Sequence, residues 1–332
     1  MVTLSPDKLK LLKDHSFRSI LFGIARMPRS HRAFIGSSDF KVAEIDLAAA
    51  KMEPKELYAH ESYVTSVVVS GNQLISGGYD GQLIWWDIKN NKKVRSLLAH
   101  QRWIRKLALN PTGTMLATVA DDMICRVWEV DSGKNVLELR GHEPLTPTHF
   151  QSMLFSVCWS ADGHKIATAD KVGHVVIWDV RTGTSQATIE APLFYTWDPS
   201  QRRHSIGGIR SLAFSPNGAQ LAIGGINRIG NIDHLDAKTR VEIFDLSTKK
   251  SLMEFNGEKF NGLVNHLQYA PSGDMLIGAG GAAEGCLLFF DLKTKKSLRQ
   301  EKTSAHIHHF TINEEWDTIY CAAHNRLSIY NM

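Results

Sequence analysis

At 332 residues the chain is long enough for two ordinary domains or for one large repeat fold. Hydrophobic residues make up 43% and charged residues 22%, as in a soluble globular protein with a sizeable core. The net charge is only +4 and the basic residues are scattered, which argues against nucleic acid as a partner; no apolar stretch approaches the roughly 18 residues needed for membrane insertion. Cys125, Cys158, Cys286 and Cys321 each stand alone in an apolar run, with no CxxC spacing. Zinc is therefore not expected, nor is any other cofactor. Unpaired thiols and an N-terminus without a signal-peptide core predict a reduced, cytoplasmic setting.

Residues 8–15 (KLKLLKDH) open the chain's patterning and admit two readings. Ser5, Pro6 and Asp7 would start a helix. Alternatively the segment is a strand, since it aligns with residues 93–100 (KVRSLLAH) when His15 is matched to His100. Residues 33–46 then form a hairpin with Asp39 in its turn. The same unit recurs at residues 73–87 (QLISGGYDGQLIWWD), 116–129 (LATVADDMICRVWE) and 165–179 (KIATADKVGHVVIWD). Each is two short apolar runs around a tight turn, the signature of a half-buried β-hairpin. Residues 192–205 read as a loop, and the fifth hairpin is split by residues 227–238 (NRIGNIDHLDAK). The fourth copy does not reach its first strand, residues 154–159, until a dozen residues after His142, and the sixth has a smaller insert at 280–284.

The second strand of each hairpin ends on an aromatic or apolar residue followed by an acid or Asn. The seven end residues are Asp46, Asp87, Glu129, Asp179, Asp245, Asp291 and Asn331, separated by 41, 42, 50, 66, 46 and 40 positions. Ala59-His60, Ala99-His100 and Gly141-His142 provide a second landmark upstream. Residues 64–69, 74–75, 83–86 and 94–98 are four apolar runs in one unit, with no room for a helix. Gly-His and Trp-Asp landmarks at this spacing resemble the WD40 repeat family, whose unit is a four-stranded propeller blade.

The resemblance spans nearly the whole chain and implies an all-β, seven-bladed propeller in one domain over residues 1–332. The blades fall at about 15–59, 60–99, 100–141, 142–191, 192–257, 258–302 and 303–332 plus 8–14. The last copy stops after its third strand. The N-terminal strand is expected to complete it and close the ring. In this family the connections that carry the three large insertions lie on the top face, so the insertions of blades four and five should raise one wall there.

Two sets of residues follow from the same resemblance. His60, Ser76, Asp80 and Trp86, and again His100, Thr118, Asp122 and Trp128, look like serine-hydrolase triads with a tryptophan added. Their repetition argues against catalysis and for a buried hydrogen-bond network that locks loop to strand. The fourth copy carries Val172 where that Asp belongs, so its network is expected to be missing or rearranged. The second set points into the mouth of the top face: Arg18, Thr65, Arg105, Ser156, Arg210, Asn265 and His308, with Tyr63, Tyr79 and Trp103 beside them. Three arginines would grip a carboxylate or phosphate, unless they merely neutralise Asp39, Asp80 and Asp122. A metal site at His306, His308, His309 and His324 is the weaker alternative.

The expected function is a non-catalytic scaffold that binds a protein or peptide partner on the top face. An acidic or phosphorylated partner would suit the arginines, and membership of a larger complex is compatible with this. The competing reading is a propeller-fold enzyme or a metal- or small-ligand-binding protein.

Overall fold

In the computed structural model, residues 5–199, 204–230 and 236–332 are described. Among them stand seven four-stranded antiparallel sheets arranged as a β-propeller. Blade one comprises Leu21–Arg26, Arg32–Ser37, Lys41–Asp46 and Lys55–Ala59. Blade two comprises Val64–Ser70, Gln73–Gly78, Gln82–Asp87 and Lys92–Leu98, and blade three Ile104–Leu109, Met115–Ala120, Ile124–Glu129 and Asn135–Arg140. Blade four is Leu154–Trp159, Lys165–Asp170, His174–Asp179 and Ser185–Glu190; blade five is Ser211–Phe214, Gln220–Ile226, Lys238–Asp245 and Ser251–Asn261. Blade six runs through Leu263–Tyr269, Met275–Gly281, Gly285–Asp291 and Lys296–Thr303.

Blade seven has Ile307–Ile312, Thr318–Ala323 and Arg326–Asn331, and its fourth strand is the N-terminal Lys10–Ser16, paired antiparallel with Arg326–Asn331. The helical alternative survives only as one 3-10 turn, Pro6–Lys8. Asp14 secures the closure by accepting hydrogen bonds from Arg326 at 2.8 Å and from Ser328 at 2.8 Å. Without this strand, Arg326–Asn331 would be an open sheet edge.

The middle strands of each blade are buried on both faces, which is why they read as apolar runs rather than alternations. Tryptophans sew neighbouring blades together: Trp85 donates to the carbonyl of Val130 at 3.0 Å, and Trp159 to that of Ala108 at 2.9 Å. The turn between second and third strands needs a left-handed residue. Gly81 supplies it at φ +75°, where a Cβ would sit 2.3 Å from the carbonyl oxygen of His100. Phe40 fills the corresponding place in blade one at φ +73°, an unusual position for a bulky side chain.

The inserted segments meet one another. Residues 192–205, expected as a loop, begin with a 3-10 turn, Pro192–Phe194, whose Phe194 is fully buried. A two-stranded ribbon follows, Tyr195–Asp198 paired with His204–Gly207. Buried aromatic anchorage allowed the segment to fold back on itself. Phe150 of the blade-four insertion packs on Trp197 with ring centroids 5.3 Å apart. Ile229 of the blade-five insertion donates its N–H to the Thr196 hydroxyl at 2.9 Å. The remainder of the insertion expected at 227–238 lies partly outside the described residues.

Candidate interaction face

The repeated polar set forms as buried networks, with two departures. In blade three His100 Nε2 meets Thr118 Oγ1 at 2.7 Å, Nδ1 meets Asp122, and Trp128 Nε1 donates to Thr118 at 3.0 Å. In blade two His60 joins Ser76 at 2.7 Å and Asp80 at 2.9 Å, but Trp86 is not part of the set; its indole N–H has no partner among the described residues. The hydroxyl of Tyr58 takes its place at 3.0 Å from Ser76 Oγ, and the Tyr58 ring stacks on Trp86. Blade four is rearranged rather than empty. Asp170, at the end of its strand, reaches His142 at 2.9 Å, His142 meets Thr168 at 2.8 Å, and Trp178 donates to Thr168 at 2.8 Å. A carboxylate two residues early still spans the gap because the strand end itself faces the histidine.

The mouth is built by a recurring backbone device. At the top of the inner strand the register slips between Leu21 and Gly23, Val64 and Ser66, Ile104 and Lys106, Leu154 and Ser156, Val264 and His266, and Ile307 and His309. Each slip is a β-bulge, and a bulge re-aims the extra residue. Those residues are Phe22, Thr65, Arg105, Phe155, Asn265 and His308. With Arg210 they line a cavity of about 260 Å³ on the axis.

Two expected members are thereby corrected. Arg18 is exposed, lies before the strand and does not line the mouth; Phe22 occupies that place. Ser156 is buried one residue past the bulge, and Phe155 holds the position. The apolar doublets Leu21-Phe22 and Leu154-Phe155 disguise which residue opens the strand. Thr65 and Asn265 spend their side chains on the next blade, donating to the carbonyls of Ile104 at 2.7 Å and Ile307 at 2.9 Å.

The three arginines do not act alike. Arg105 forks onto Asp121 at 2.7 and 2.6 Å and donates to the Tyr79 hydroxyl at 2.6 Å. Its carboxylate is thus Asp121, not the Asp39, Asp80 or Asp122 set against it in the sequence. Arg210 lies 3.5 Å from the centroid of Phe155 with no carboxylate partner among the described residues.

Around Arg105 an aromatic belt crosses blades one to three. Phe40 packs on Tyr63 at 5.7 Å, Tyr63 on Tyr79 at 5.7 Å, and Tyr79 stacks flat on Trp103 at 4.4 Å. The turns hold it there: Tyr79 N–H donates to the Tyr63 carbonyl at 2.9 Å and Asp121 N–H to that of Trp103 at 3.1 Å. Phe40, Tyr63 and Trp103 are 40, 41 and 48% exposed. Beside the belt a groove of about 610 Å³ runs between Leu98, Trp103 and the blade-four segment Gln151 to Met153.

His306, His308 and His324 stack in series, with centroids 4.6 and 5.9 Å apart, while His309 turns to His266. Among the described residues no group of three or more His, Cys, Asp or Glu is placed to hold a metal. Trp197 and Trp316 are both half-buried. No helix among the described residues is long and apolar enough to cross a membrane.

Residues 52–87 and 91–129 match the family described as "WD domain, G-beta repeat". Each match starts at the outer strand of one blade or just before it and ends with the third strand of the next, so sequence repeat and blade are offset by one strand. Among the curated relatives, eukaryotic translation initiation factor 3 subunit I of Bombyx mori is 26% identical over 205 residues, 60% of this chain and 56% of the relative. Nuclear distribution protein PAC1 of Arthroderma otae is 24% identical over 261 residues, 71% of this chain and 51% of the relative. Small ribosomal subunit protein RACK1y of Oryza sativa subsp. japonica is 30% identical over 149 residues, 44% and 43% of the two chains. The chain therefore spans about half the length of these relatives.

Proposed function

We propose that this chain, a member of the WD40-repeat β-propeller family, is a non-catalytic scaffold that binds a protein or peptide partner on its top face. The observation that carries the reading is the continuous, half-exposed belt Phe40, Tyr63, Tyr79 and Trp103 beside a groove. Aromatic residues and arginine are the usual anchors of protein interfaces. Rigid aromatics on a closed ring lose little conformational entropy when a partner docks. With Arg105 engaged by Asp121 and Arg18 outside the mouth, an acidic or phosphorylated group on the partner would be met by Arg210, on the axis.

Affinity capture on the immobilised full chain tests this. A Tyr63→Ala/Trp103→Ala variant that melts like wild type should lose its partners by about 30-fold or more, the scale of an interface hot spot. Capture that survives the double substitution would remove the belt from the site. A role as a subunit of a larger assembly is supported separately by Leu11 and Leu12 on the outer strand of blade seven, 50 and 58% exposed. Partners retained by the belt variant but lost by Leu11→Ser/Leu12→Ser would favour it.

A further inference from the structure

Below the belt, the axial cavity carries positive charge that the chain does not answer. Arg105, Lys106 and Arg210 line it, and no carboxylate does. The neighbouring acid, Asp121, is already gripped at both oxygens by Arg105. That leaves Arg210 and Lys106, whose side chains have no hydrogen-bond or ion-pair partner among the described residues. Arg210 Nε is sealed from solvent with nothing to donate to, and its guanidinium is held flat against Phe155. Lys171, buried behind them, adds a third cation whose field reaches Arg210. His308 Nε2 and His309 Nδ1 on the opposite wall are likewise buried and unpartnered.

Such an arrangement is costly. Proteins ordinarily pair or remove a charge withdrawn from water. Burial pulls Lys106 down to about 8 and, with Arg105 adding repulsion, Arg210 down to about 9. Small residues fit at the Lys106 position: the residue after the bulge is Ser66 in blade two and Ser156 in blade four. The lysine is thus not required by the wall it stands in. Two converging cations with several donors suit a phosphate-type group, which has charge and acceptors on every side.

We propose that the axial cavity binds a small phosphate-type oxyanion, with Arg210 and Lys106 as its charge partners and His308 as a donor. Lys106 lies one residue beyond the bulge that forms the mouth, and the whole space is about 260 Å³. A compact free ligand fits there more readily than a side chain projecting from a folded partner. The site shares Arg210 with the face proposed above but does not depend on the belt, so Tyr63→Ala/Trp103→Ala and Lys106→Met separate the two readings.

Titration calorimetry of the full chain with inorganic pyrophosphate, at fixed ionic strength and against a chloride control, tests the proposal. One pyrophosphate per chain should bind, and Arg210→Gln should weaken it by at least ~10-fold, the scale of one lost charge-assisted hydrogen bond. Lys106→Met is the second variant. It should melt no lower than wild type, since it removes a half-buried amine with no hydrogen-bond partner among the described residues, yet lose the same binding. Absence of pyrophosphate binding to wild type, or binding undiminished in Lys106→Met, would overturn the proposal. A phosphoserine peptide that binds where pyrophosphate does not would also overturn it and give the cavity to a phosphorylated partner.

Discussion

Asp122 shows how a polar residue can be buried in this ring without loss. Burial alone would raise its carboxyl, but hydrogen bonds from His100 and Arg126 outweigh that and hold it down to about 2. Its contribution is therefore present above about pH 4 and lost as pH falls towards 2. The axial histidines respond earlier. Burial lowers His306 to about 4 and His308 and His309 to about 3, each with help from a neighbouring cation or imidazole. They are neutral in the folded protein and protonate below about 6.5 when unfolded, so folding loses support as pH drops from 6.5 towards 3. Urea denaturation should give a stability at pH 5 lower than at pH 7.5 by at least ~1 kcal/mol, allowing for solvent access to the channel. A flat profile over that range would mean that the histidines take up protons in the fold as they do in the unfolded chain. At this scale the sequence was legible where a pattern repeats, as with His100, Thr118 and Asp122. It was opaque where one blade improvises: nothing local distinguishes Tyr58 as the substitute for Trp86, or Asp170 as the substitute for a turn aspartate. The mouth failed for a different reason. A bulge has no sequence mark of its own, and in Leu21-Phe22 and Leu154-Phe155 both residues are apolar, so the strand opening cannot be counted from hydropathy.

Elements were easier to find than residues. The hairpins stood out because their turns demand particular residues: Gly81 with its left-handed φ, then Gly113, Gly163, Gly218 and Gly273 at the bends between first and second strands. The N-terminal strand was legible through its match to residues 93–100 and through the seventh blade's missing edge, although Ser5, Pro6 and Asp7 also suit a helix start. Its role gives a direct test. Removing residues 1–16 leaves the outer edge of Arg326–Asn331 unpaired and strips the Asp14 hydrogen bonds. The truncated chain should melt well below wild type and elute as aggregate on size exclusion with light scattering, because an uncovered edge pairs with other chains. A monodisperse truncation with an unchanged melt would show that the ring is held by blade packing alone. The ribbon at Tyr195–Asp198 and His204–Gly207 was hidden because its polar-aromatic composition reads as loop; its anchor, the buried Phe194, becomes visible only in three dimensions.

For the whole molecule, the ring is a rigid frame that concentrates its variation on one face. The three insertions of blades four and five touch one another through Phe150–Trp197 and Ile229–Thr196. On the other side of the mouth lie the aromatics of blades one to three, with the groove between Trp103 and Met153. A partner seated there would meet an apolar belt and a raised wall, with the basic axial cavity beneath. The most direct measurement is hydrogen–deuterium exchange of the full chain, free and with its captured partner. Protection should appear in the top turns that carry Tyr63, Tyr79 and Trp103 and in residues 150–153, while the outer strands Lys10–Ser16 and Lys92–Leu98 exchange as before. Protection confined to the outer strands, with those top turns unchanged, would contradict a top-face platform.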